Sequence, residues 1–122
     1  MVSRNTLEFV AGLVVAGLVA GGLSLSMETA YALAIGLAAA TPSLVRTSAR
    51  LDRDAYDAAK TGTEQVVDGV LASVSTAVVG LAGGYVAVTN GYAGPVAVAV
   101  AAGTGVFAGQ TVFYVRNGEY VG

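Results

Sequence analysis

Apolar residues are gathered into four long stretches, separated by two short polar turns and one charged segment. Residues 7 to 25 are apolar except for Glu8 and Ser24, long enough at helical rise to cross roughly 30 Å of hydrocarbon. Residues 29 to 45 form a shorter, alanine-rich stretch interrupted by Pro42, the weakest of the four. Residues 66 to 89 and 95 to 115 are longer, and the linker from Thr89 to Pro95, with Asn90, Gly91 and Gly94, predicts a helix stop, a tight turn and a proline opening the next helix. The Val-Ala alternation at 96 to 101 also has a strand's period. Stretches of this length, with glycines at helical spacing, favour helices instead. The pattern predicts an all-α integral membrane protein: a four-helix bundle of two hairpins, forming one membrane domain over 1 to 122.

Between the second and third stretches, residues 46 to 68 hold nearly all the dense charge. Arg50 with Asp54, Arg53 with Asp57 and Lys60 with Glu64 lie four apart, which predicts a short helical segment with pairs worth a few tenths of a kcal/mol each. Thr61 followed by Glu64 has the form of a capping box. Asn5, three residues before Glu8, is a candidate cap for the first helix.

Wound at 100° per residue, the third stretch sorts its residues by size. Gly69, Ser73, Thr76, Gly80, Gly84 and Ala87 share one face, and Val67, Leu71, Val74, Val78, Leu81 and Tyr85 the other. Small residues let backbones approach closely, so the first face should meet a helix and the second lipid. In the fourth stretch Ala101, Ala102, Gly105, Ala108 and Gly109 oppose Val96, Val100, Phe107 and Tyr114. In the second, Ala32, Gly36, Ala39, Ala40 and Ser43 lie away from Leu33, Leu37 and Leu44. The pairs Gly17/Gly21, Gly80/Gly84 and Gly105/Gly109 have GxxxG spacing, which favours packing within the chain over self-association in a sequence this rich in glycine.

Basic residues supply a direction. Arg4 precedes the first stretch, Arg46, Arg50, Arg53 and Lys60 lie between the second and third, and Arg116 follows the fourth. With four crossings, every one falls on one side, which the positive-inside rule makes cytoplasmic, with both ends of the chain. Tyr31, Tyr85 and Tyr92 would then sit near the outer interface, and Phe9, Phe113 and Tyr114 near the inner one. So strong a bias argues against insertion both ways round.

Composition narrows the chemistry. With 55% hydrophobic and 11% charged residues, water is not the main solvent. Alanine, valine and glycine make up half the chain, while lysine and isoleucine occur once each. That bias resembles a haloarchaeal proteome, and in size and composition the chain is similar to small four-span proteins in the envelopes of haloarchaeal pleomorphic viruses. A viral envelope is thus one membrane the resemblance implies, beside the cell membrane.

Without histidine or cysteine, imidazole and thiolate chemistry are excluded, nucleophilic catalysis lacks its base, and no catalytic, metal or cofactor residue is expected. A net charge of -2 leaves no basic field for nucleic acid. Asp52, Asp54 and Asp57, interleaved with arginine, suit a solvated helix surface better than a cation site. Glu8 and Asp68, with Gln110 at similar depth, could gather as an inner polar cluster, although acids near helix starts also complement the macrodipole. Glu8 stands at the edge of its stretch, unlike the first-span carboxylate of small multidrug transporters. The expected function is structural, assembly or interaction, with Arg50, Arg53, Asp54 and Asp57 docking a membrane-protein partner. The competing expectation is a homo-oligomeric channel, holin-like pore or transporter component using the polar cluster.

Overall fold

The computed structural model describes residues 3–122 and is all-helical. Its elements are α1 (Arg4–Leu23), α2 (Thr29–Arg46), α3 (Arg53–Ala59), α4 (Gly62–Thr89) and α5 (Pro95–Arg116), followed by a 3-10 turn at Gly118–Tyr120. Helices α1, α4 and α5 are long and apolar enough to cross a membrane. The second predicted span, α2, is not among them, because its hydroxyls, Pro42 and terminal Arg46 dilute its hydropathy.

Local chemistry sets the boundaries. Ser3, rather than Asn5, caps α1 by accepting the Thr6 amide through its hydroxyl at 3.1 Å. Thr61 and Glu64 form the reciprocal capping box at the start of α4, four residues before the apolar run begins. Between α4 and α5 the chain turns through Gly91 (φ 87°) and Gly94 (φ 63°), left-handed conformations that a β-carbon disfavours, and Pro95 opens α5.

Helix α2 sits between α1 on one side and α4 with α5 on the other. Two nearly opposite faces of it are therefore small. Toward α1, a β-carbon added to Gly36 would stand 2.6 Å from the Ala16 carbonyl oxygen, and one on Gly12 would stand 2.8 Å from Ser43 Cβ. Toward α4, Ala34 lies against Gly80, and the buried Thr41 hydroxyl donates to Thr76 Oγ1 at 2.9 Å. Lower on that face Val45 joins Ala72, Tyr56 and Phe113 in a buried cluster. Ala39, placed by its spacing on the packing face, is exposed.

The α4–α5 contact closes on backbone. A β-carbon on Gly105 would meet Thr76 O at 2.8 Å and Gly80 Cα at 3.1 Å; on Gly80, Ala101 O at 3.0 Å; on Gly84, Ala101 Cβ at 3.2 Å. Gly109 lies against Thr76 Oγ1 and, at 3.0 Å, Ala72 O. Gly17 and Gly21 require a correction: nothing lies within 4 Å of where their β-carbons would stand. The face of α1 that meets α2 runs through Gly12 and Ala16 instead, which turns Gly17 and Gly21 outward.

Large apolar side chains cover the outside. Leu7, Val14, Leu18, Val66, Val78 and Phe107 are all more than half exposed. A continuous apolar exterior over a small-residue interior inverts the usual soluble arrangement and suits a hydrocarbon solvent.

Candidate functional site

At one end of the molecule the start of α1, the end of α2, the start of α4 and the end of α5 meet, and α3 lies across them. Asp52 caps α3, its Oδ1 accepting the Ala55 amide at 3.2 Å. Arg53 and Tyr56, three apart, put a guanidinium and a phenol on one face of this short helix, and Lys60, the extended residue that ends it, adds an ammonium beside them. That face points into the protein.

Asp68 is fully buried in the first turns of α4. Its Oδ1 accepts Arg116 Nε at 2.9 Å, and its Oδ2 accepts the Tyr56 hydroxyl at 3.0 Å and faces Lys60 Nζ at 3.4 Å. A carboxylate removed from water is tolerable only when such charge-assisted partners replace its hydration. With three donors on two oxygens, it anchors α3 to α4 and α5. Tyr56 is equally buried, with ring centroids 5.5 Å from Phe113 and 5.9 Å from Tyr120. Burial, followed by the hydrogen bond to Asp68, pushes its phenol well above the usual tyrosine value.

A second cluster ties α3 to α1 and α2. Glu8 Oε1 accepts Arg46 Nε at 2.9 Å and lies 2.8 Å from its Nη2, while Glu8 Oε2 meets Arg53 Nη1 at 2.6 Å. That same Nη1 donates to Asn5 Oδ1 at 2.9 Å. Asp57 takes Arg53 Nε at 3.5 Å and the exposed Arg4 at 3.7 Å. Three cations thus face two carboxylates.

Residues 117 to 122 fold back over the same end. The Asp52 amide donates to Tyr120 O at 2.7 Å and the Gly122 amide to Arg50 O at 2.8 Å, giving an isolated antiparallel bridge between Leu51 and Val121. Ser48 Oγ and the Tyr114 hydroxyl lie 2.7 Å apart, with the Arg50 guanidinium 5.2 Å from the Tyr114 ring centroid. Buried Asn117 donates to Phe113 O, leaving its Oδ1 without a partner.

The expected polar cluster is therefore divided. Glu8 and Asp68 belong to separate ion-pair groups, and the Gln110 side chain makes no hydrogen bond among the described residues. Of the four residues expected to dock a partner, Arg53 and Asp57 are engaged internally, Arg50 lies over Tyr114, and Asp54 is exposed. Of the expected pairs four apart, only Arg53–Asp57 forms among the described residues. Phe113, expected at a membrane interface, is fully buried beneath Tyr56. Sequence reasoning missed Tyr56, Lys60 and Arg116 as site residues. The three-residue spacing of Arg53 and Tyr56 along one helical face was the available signal for Tyr56. No family model, curated protein or solved structure matches the chain.

Proposed function

We propose that the chain is a structural membrane protein: a four-helix bundle crossing a cell membrane or viral envelope four times, with its charged end on the cytoplasmic or interior side. Helix α2 serves as the fourth span despite its lower hydropathy, because neighbouring helices shield its small residues from lipid. The observation that carries this reading is the closure of the helix contacts at backbone distance, from Gly36 on Ala16 to Gly105 on Thr76. Where hydroxyls occur inside, Thr41 and Thr76 bond to each other instead of lining a path. The role that suits so filled an interior is assembly, with Asp54 and its exposed neighbours Ala58 and Ala59 forming the surface a partner would touch.

Reporters at Asn90 and Asp54 test the topology, and opposite compartments are expected. Asp54→Lys tests the partner surface: a protein co-purifying from the native membrane in mild detergent should be lost while the fold survives, since Asp54 makes no ion pair among the described residues. Ion flux through liposomes containing the pure protein, abolished by Glu8→Gln with Asp68→Asn, would replace this reading with a pore.

A further inference from the structure

Beside the charged cap, a surface groove of about 270 Å³ runs between α2 and α4. Pro42 and Gly69 form its floor, because a β-carbon on Gly69 would stand only 3.3 Å from Pro42 Cβ. Val66, Val70 and Val74 are its walls, and Arg46 with Gln65 stands at the charged end. From Gln65 to Val74 the helical rise covers about 14 Å, close to one leaflet of a roughly 30 Å hydrocarbon core. The groove thus has an apolar length matched to one acyl chain and a cationic group where a headgroup would lie.

Charge decides the kind of lipid. Arg46 gives Nε and Nη2 to Glu8, whereas its Nη1 makes no hydrogen bond among the described residues. The surrounding group holds Arg4, Arg46 and Arg53 against Glu8 and Asp57, an excess of one positive charge. Glu64, the nearest acid in sequence to Gln65, turns its carboxylate back onto the Thr61 amide.

We propose that this groove binds one anionic glycerophospholipid of the leaflet at the charged end, with an acyl chain along Val66, Val70 and Val74 and the phosphate against Arg46. The assignment rests on the membrane-spanning reading above. It calls for no polybasic segment, since one guanidinium with surplus charge beside an apolar slot supplies both parts of the recognition.

Native mass spectrometry of the detergent-purified protein, given phosphatidylglycerol or phosphatidylcholine with the same acyl chains, tests it. One phosphatidylglycerol should be retained per chain, about tenfold more tightly than phosphatidylcholine, whose choline cation meets the surplus positive charge of this group although its phosphate is the same. Arg46→Gln should remove the preference and Arg46→Lys keep most of it. Val70→Trp, at a position more than half exposed, should fill the slot and weaken both lipids without disturbing the ion pairs. Equal retention of the two lipids, binding indifferent to Val70→Trp, or displacement by free glycerol phosphate would each overturn the proposal. If Arg46→Gln fails to fold, the lipid comparison and Val70→Trp still decide it. Failure here with Asn90 and Asp54 reporters on opposite sides removes only the lipid site; reporters on the same side remove the membrane reading itself.

Discussion

Replacing Gly105 with alanine adds one methyl where the backbones of α4 and α5 are in contact. The new carbon would stand 2.8 Å from Thr76 O and 3.1 Å from Gly80 Cα, both backbone atoms that no side-chain rotation can move. Relief requires the helices to part by roughly half an ångström, and such overpacking costs about 1–3 kcal/mol. Alanine recovers about 1 kcal/mol through helix propensity, leaving a net loss of up to about 2 kcal/mol. Gly17→Ala is the matched control, because nothing lies within 4 Å of its added carbon and only the propensity gain remains. The two variants should therefore differ by about 2 kcal/mol, or roughly thirtyfold in unfolding constant. Reversible unfolding in mixed micelles with increasing sodium dodecyl sulfate, followed by far-ultraviolet circular dichroism, measures the difference. Equal stability of the two variants would refute the backbone crossing and return Gly17 to the same standing as Gly105.

Two further outcomes follow from the cap. Asp68→Asn preserves shape but leaves Lys60 and Arg116 without their counter-charge; because Arg116 is partly exposed, the loss should be about 2–3 kcal/mol, below the value for a wholly buried pair, read by the same unfolding titration. Tyr56 supplies a pH dependence: its raised phenol keeps a proton in the folded state that the unfolded chain releases, so this contribution is complete below about pH 10 and declines as pH rises further. The comparison is with Tyr56→Phe, whose stability should fall less steeply above that pH; superimposable curves would contradict the buried Tyr56–Asp68 bond.

Much of the helical architecture is legible in the sequence. Hydropathy runs longer than a leaflet pair, the Thr61–Glu64 box and the Gly94–Pro95 junction are local signals, acting within a few residues of one another, and each places a helix or its end. The small faces of α4 and α5 were readable for the same reason, since sorting by size around one helix needs no knowledge of its neighbours.

Which small residues touch, however, depends on where neighbours stand. Gly17 and Gly12 are alike in sequence terms, and only the position of α2 separates an open surface from a contact. Two-sided burial of α2 was hidden similarly, because alanine fits either face. Charges misled for a related reason: spacing four apart predicts partners on the same helix, whereas Arg53 and Lys60 reach carboxylates on α1 and α4. The sequence alone thus determined the helices and their ends, through short-range rules of burial and capping. Only the tertiary structure decided that those charges turn inward, because a carboxylate buried at Asp68 must draw its counter-ions from whichever elements the fold brings beside it.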